Sequence, residues 1–145
     1  MKHFGQAIGW SVRGGEVIEL LGDVGAGKTT LTKGIAEGLA ITEPVQSPTF
    51  TISRSYTSPS ELRLVHYDFY RLHQAGIMRE ELAEVLSQPE IVTVVEWADA
   101  VMDVLPDDRL QVQIVSPAET ERQVTLIAGG PMSRALQQTI EENLA

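Results

Sequence analysis

Gly22-Asp23-Val24-Gly25-Ala26-Gly27-Lys28-Thr29 fits the pattern G-x-x-x-x-G-K-[ST], and its flanks supply the context that the pattern needs. Before it, Glu16 to Leu21 is a short run with Val17, Ile18, Leu20 and Leu21 apolar, as in a strand covered on both faces. After it, Leu31, Ile35 and Leu39 fall on one helical stripe. Glycines let the backbone turn so that successive N–H groups point inward at phosphate oxygens, and the positive end of the following helix adds to their pull. Lys28 then supplies a full charge to β- and γ-phosphates, and the Thr29 hydroxyl is placed to ligate Mg2+. The plain alternative is a glycine-rich strand–helix turn that binds nothing. In a chain of this length the pattern arises by chance with a probability of roughly half a per cent, before the flanks are considered.

Working outward, Phe4, Ile8 and Val12 suggest an amphipathic helix over residues 4–12, stopped by Gly14-Gly15. Thr42 to Pro48 reads as loop, and Phe50, Ile52 and Tyr56 as a strand entering the turn Ser58-Pro59-Ser60. Leu62 to Tyr70 reads as a strand and Ile77 to Leu86 as a helix ended by Gln88-Pro89. Ile91-Val92-Thr93-Val94-Val95 is the strongest buried-strand signal in the chain. Leu110, Val112 and Ile114 alternate, as do Val124 and Leu126, around a polar turn from Ser116 to Glu121, which describes a hairpin. Pro131 to Leu144 closes the chain as a helix with Met132, Leu136, Ile140 and Leu144 on its apolar stripe. These elements predict one α/β domain over residues 1–145: a three-layer P-loop NTPase with a mixed, mostly parallel central sheet and a C-terminal antiparallel hairpin.

Composition narrows the function classes. The chain has 145 residues, no cysteine, 43% hydrophobic residues and a net charge of −9. No cysteine means no disulfide, no thiolate metal site and no Cys nucleophile. No apolar run approaches the roughly 20 residues of a membrane span, and Met1-Lys2-His3-Phe4-Gly5 has no apolar signal core, so the expected setting is the cytoplasm, without membrane. Arg54, Arg63, Arg71, Arg79, Arg109, Arg122 and Arg134 are scattered rather than clustered. An acidic chain without a basic stripe is repelled by a phosphate backbone, so any role with nucleic acid runs through a partner.

A phosphate-binding loop is normally completed by an acid from the end of a neighbouring strand. Two segments are written that way: Glu96 after Ile91 to Val95, and Asp68 after Leu64-Val65-His66-Tyr67. Either acid could equally be a solvated strand end, and spacing does not choose between them. His66 and His73 have no ligand-spaced companions and read as structural.

The loop with Thr30, then Ser47-Pro48-Thr49-Phe50, Tyr67-Asp68-Phe69-Tyr70-Arg71-Leu72, Val95-Glu96-Trp97-Ala98 and Leu105-Pro106, in that order, resembles the TsaE (YjeE) family. That family supplies the bacterial ATPase subunit of the machinery that makes threonylcarbamoyladenosine in tRNA. The resemblance implies that Gly25, Ala26, Gly27, Lys28, Thr29 and Thr30 cradle the phosphates of ATP or ADP, with Thr29 and Glu96 on Mg2+. It implies Asp68 as the other essential acid, near the γ-phosphate or the attacking water. Ser47, Pro48 and Thr49 would form a nucleotide-sensing loop, Trp97 would lie beside the nucleotide, and Arg122 would reach it from the hairpin. By themselves Trp97 is more often a packing aromatic and Arg122 a turn arginine. The family usually opens with a further strand before its first helix, and Met1 stands where that helix begins, so that strand is expected to be missing. Gln74-Ala75-Gly76 also replaces an acidic helix start that the family prefers.

The implied activity is slow ATP hydrolysis that drives or resets the TsaD–TsaB complex, with tRNA reached only through those partners. The segment N-K-x-D that reads guanine is absent, which favours ATP. Two rivals are a small-molecule P-loop kinase and a nucleotide switch that does not hydrolyse. A kinase needs an acceptor pocket and usually an arginine-bearing lid, and no arginine-rich lid segment is written here.

Overall fold

In the computed structural model, the described residues are 1–23, 25–46, 53–70 and 76–145. Among them, six strands form one sheet in the order β2-β3-β4-β1-β5-β6. The strands are β1 Val17–Leu21, β2 Ser53–Thr57, β3 Arg63–Asp68, β4 Ile91–Glu96, β5 Leu110–Ala118 and β6 Glu121–Ala128. β3, β4, β1 and β5 run parallel, while β2 and β6 close the two edges in antiparallel pairings. The expected α/β sandwich, mostly parallel with a C-terminal hairpin, is what the chain adopts.

The period of two along each strand divides the core. Ile18, Leu20, Leu64, Val92, Val94, Leu110, Val112 and Ile114 pack on the face that carries α1 (Lys2–Ser11), α2 (Lys28–Gly38) and α4 (Pro131–Leu144). Val17, Val65, Tyr67, Ile91 and Val95 pack on the opposite face, with Leu82 of α3 (Gly76–Leu86) and the short 3-10 turn Ala98–Val101. β4 is buried at every residue, which is why its sequence is continuously apolar instead of alternating.

α1 and α2 approach through glycines. A Cβ at Gly5 would stand 2.3 Å from Leu31 O, and one at Gly9 would stand 2.3 Å from Ile35 O. From the other side, a Cβ at Gly34 would meet Lys2 O at 2.3 Å and one at Gly38 would meet Gln6 O at 2.4 Å. Backbone lies on backbone here, and the position of α2 is fixed accordingly.

Two expectations are corrected. The polar turn expected from Ser116 to Glu121 is shorter, because β5 continues to Ala118 and β6 begins at Glu121, with an irregular register between Val115 and Ala118. On α4, Leu136 and Ile140 are buried, but Met132 is 49% and Leu144 38% exposed, and Ser133 takes the inward position instead. Residues four apart rotate by about 40° per step around a helix, so a stripe of four such residues cannot keep one side.

Candidate phosphate-binding site

The parallel strands bring their C-terminal ends to one edge of the sheet, and the site is built there. β1 ends at Leu21 and runs into the glycine loop, whose Val24 lies outside the described residues. Gly25 has φ +83° and open space where a Cβ would point, and Gly27 has φ +109° as the residue that enters α2. Left-handed backbone at both positions suits glycine and lets the loop reverse directly into the helix. Lys28 and Thr29 are thus the first two residues of α2, and Thr29 and Gly27 are half-buried beside exposed Gly25 and Thr30.

The two acids stand side by side. Asp68 and Glu96 are register partners at the ends of β3 and β4, and Leu20 of β1 pairs with Glu96. Alternation along β3 places His66 and Asp68 on the same face as Leu64, and along β4 it places Glu96 with Val92 and Val94. That is the face carrying α2. Glu96 is 3% exposed, and its Oε1 lies 3.9 Å from Lys28 Nζ. Its Oε2 lies 2.5 Å from Nε2 of the fully buried His66. The Tyr70 N–H donates to Asp68 Oδ1 at 3.0 Å.

Lys28 is buried and engaged with its own surroundings. Its Nζ donates to Gly22 O at 2.7 Å and lies 3.9 Å from the centroid of the Trp97 ring. Burial pulls the ammonium below its ordinary value, against the upward pull of Glu96, Asp68 and Asp23. Burial likewise pushes the Asp68 carboxyl up, with Glu96 pushing the same way, while the Tyr70 N–H, His66 and Lys28 pull it down. The Trp97 backbone is left-handed, at φ 55° and ψ 53°, and its ring packs on Tyr70 with centroids 4.8 Å apart. A non-glycine residue held in that region at a strand end marks a site over-determined by its neighbours.

Arg122 reaches the loop from the hairpin. Its Nε donates to Ala26 O at 3.1 Å, and its Nη1 donates to the carbonyls of Ala118, Glu119 and Glu121. The arginine thus ties the hairpin turn to the glycine loop. Between them runs a cleft of about 440 Å³ lined by Gly22, Asp23, Gly25, Ala26 and residues Gln113 to Ser116. Thr49, with Ser47 and Pro48, lies outside the described residues. The structure brings Lys28, Asp68, Glu96, Trp97 and Arg122 around one loop, and it adds His66, which the sequence suggests only as a structural residue.

A family model described as threonylcarbamoyl adenosine biosynthesis protein TsaE matches residues 1–124. The chain belongs to the TsaE family. The tRNA threonylcarbamoyladenosine biosynthesis protein TsaE of Bacillus subtilis is 45% identical over 121 residues, covering 80% of this chain and 72% of the relative. Its counterpart in Streptomyces coelicolor is 40% identical over 115 residues, covering 79% and 78%. The crystal structure of Bacillus subtilis YdiB superposes with a TM-score of 0.81 at 34% identity, over 99% of this chain and 88% of that one. TsaE membership places the chain in the biosynthesis of threonylcarbamoyladenosine in tRNA. No helix among the described residues is long and apolar enough to cross a membrane.

Proposed function

We propose that this chain binds ATP with Mg2+ at the Gly22–Thr30 loop and hydrolyses it slowly, as the subunit that drives or resets a TsaD–TsaB complex in the cytoplasm. The observation that carries the reading is the convergence of Lys28, Asp68 and Glu96 on one strand-end edge, at the N-terminus of α2. An isolated glycine turn does not require two acids from two further strands in register beside its lysine.

The donor set suits a hard cation. Hydroxyl and carboxylate oxygens of Thr29 and Glu96 are ligand types that Mg2+ prefers, and Mg2+ commonly takes one or two protein ligands and completes its shell with phosphates and waters. Among the described residues no group of three or more His, Cys, Asp or Glu is arranged to hold a metal alone, which fits a site shared with the nucleotide. When bound, Mg2+ would neutralise charge on the β- and γ-phosphates.

The rest of the work falls to the chain. Gly25, Gly27, Thr29 and Thr30 offer loop and helix N–H groups to the phosphates, and Ala26 joins them by giving up its bond to Asp23 O. Lys28 would exchange Gly22 O and the Trp97 face for the β- and γ-oxygens, where its charge would stabilise the γ-phosphoryl group in transfer and the ADP that leaves. Asp68, whose carboxyl burial pushes toward the protonated form, is suited to orient a water and hold its proton. Thr49 contributes from the nucleotide-sensing loop. Arg122 holds the loop wall at Ala26, and with Trp97 it flanks the nucleotide. The net charge of −9 suits docking on a basic protein surface rather than on tRNA itself.

The test is phosphate release from ATP and Mg2+ by the chain alone and with the TsaB–TsaD pair, alongside Lys28→Ala and Glu96→Ala. A low rate that rises with the pair and vanishes in both variants is expected. A rate indifferent to the pair would remove the partner-driven reading while leaving the loop as a phosphate site.

A further inference from the structure

His66 lies fully buried on the α2-facing side of β3, two residues before Asp68, with its Nε2 2.5 Å from Glu96 Oε2. Glu96 is itself 3% exposed and stands at the end of its strand. A glutamate there has three side-chain torsions and, unheld, several places for its two oxygens. An ionised carboxylate is acceptor-only, so the ring nitrogen that faces it is the donor. With Oε2 held by His66, Oε1 is left on the loop side, 3.9 Å from Lys28 Nζ. The carboxylate is therefore gripped on the sheet side, while on the side of the glycine loop its Oε1 has the looser ion pair to Lys28.

We propose that His66 is a positioning residue: its Nε2–H fixes the Glu96 carboxylate so that Oε1 is presented to the divalent cation of the bound nucleotide. The inference rests on Glu96 being the metal-side acid proposed above. A histidine that merely filled the core would need shape but no nitrogen at 2.5 Å from this carboxylate. Carboxylate ligands are commonly held by such outer partners, and loss of one typically weakens metal binding about 10- to 100-fold.

The discriminating pair is His66→Gln and His66→Asn. The Gln side-chain amide nitrogen stands as many bonds from Cα as His Nε2 does, whereas the Asn nitrogen stands one bond short. Both variants are polar and smaller than His, but Asn lacks a CH2 that Gln keeps and leaves the larger hole at this buried position, so packing loss is read separately in the unfolding midpoint. The readout is Mn2+ affinity of the chain saturated with ADP, followed by electron paramagnetic resonance. ADP affinity in EDTA and the unfolding midpoint serve as controls, and Glu96→Ala is run in parallel. We expect Mn2+ to bind about 10-fold or more weakly in His66→Asn and within about 3-fold of the parent in His66→Gln, with ADP affinity in EDTA unchanged in both. Equal Mn2+ affinities in the two His66 variants, whether both retained or both lost, overturn the positioning role. Loss in Glu96→Ala with none in His66→Asn overturns the His66 inference alone. Parent-like Mn2+ affinity in Glu96→Ala overturns the Glu96 reading, and the His66 inference with it.

Discussion

Replacing Gly5 with Ala tests whether the backbone contact between α1 and α2 holds the phosphate loop in place. The new Cβ would stand 2.3 Å from Leu31 O, 2.9 Å from Gly34 Cα and 3.0 Å from Ile35 N, all backbone atoms of α2. A relaxed C···O approach is about 3.3 Å or more, so α1 must withdraw by about 1 Å. Overpacking of this kind costs about 1–3 kcal/mol, and a rigid carbonyl as the struck atom places it in the upper half of that range. Alanine returns about 1 kcal/mol through better helix propensity. The net expectation is a loss of about 1–2 kcal/mol, or roughly 3–8 °C in Tm for a domain of this size. Leu31 stands one helical turn after Lys28, so a displaced α2 also moves the residues that begin the helix. Thermal unfolding by circular dichroism and titration with a fluorescent ADP analogue measure the two effects, and both Tm and affinity should fall. A higher Tm with unchanged affinity, which helix propensity alone would give, would refute the claim that this contact is tight and that it positions the loop.

Asp68→Asn should raise the Tm of the nucleotide-free chain at neutral pH while abolishing phosphate release. Burial raises the Asp68 carboxyl above its ordinary 3.8, so its ionised form opposes folding above that range, and the variant's advantage should vanish as pH falls toward about 4. A variant no more stable than the parent at neutral pH would show that the pairing around Asp68 already offsets its burial. Asp108→Ala removes the acceptor for the Met132 N–H, the Ser133 N–H and the Ser133 hydroxyl at the start of α4, and should cost about 1–2 kcal/mol in urea unfolding. Burial would push the Asp108 carboxyl up, but those hydrogen bonds hold it below its ordinary 3.8. The cap is therefore fully present above the ordinary 3.8 and lost below it, as pH falls through the depressed value of the folded state, so the parent should show a steeper acid loss of stability than the variant. Arg109→Met leaves the buried Glu19, whose Oε1 accepts from Arg109 Nε at 2.8 Å, with Gln111 as its remaining donor. The loss should be about 3 kcal/mol, with the double variant Glu19→Gln/Arg109→Met recovering most of it; additive losses would remove the pair as the cause.

The parts of this molecule written in local pattern were legible. The glycine loop announces itself by residue type at fixed spacing, and Ile91 to Val95 announces a strand buried on both faces. What depends on pairing was not. His66 gains its partner only because β3 and β4 run parallel with Asp68 beside Glu96, a register that no single strand encodes. The one available signal was the period of two, which puts residues 66 and 68 on a common face. The polar stretch from Ser116 suggested a turn, yet Pro117, which lacks an N–H, falls within β5 where the ladder shifts register between Val115 and Ala118. At such an irregularity the missing donor costs little. The glycines of α1 and α2 carry no chemistry by themselves, and their role appears only when Gly5 and Gly9 are laid against Leu31 and Ile35.

The charges at the loop also explain why Lys28 can lie buried there. Burial works against the Lys28 ammonium, and Glu96, Asp68 and Asp23 each work for it. The same three acids would repel an incoming polyphosphate, so on the proposed reading the lysine alone cannot balance them all. On the same reading, a divalent cation arriving with the nucleotide would change that balance by satisfying Glu96 and freeing Lys28 to face the phosphates. Neutralising Glu96 without disturbing its shape should therefore make nucleotide binding less dependent on Mg2+. Glu96→Gln keeps an oxygen and a nitrogen where the carboxylate stood but removes the charge 3.9 Å from Lys28 Nζ. ADP affinity in EDTA should rise in this variant by about tenfold, the factor that about 1.4 kcal/mol of relieved repulsion makes, while the further gain on adding Mg2+ shrinks. An unchanged affinity in EDTA would mean that Glu96 does not oppose phosphate binding, and that its tie to Lys28 is incidental to how the loop is held ready.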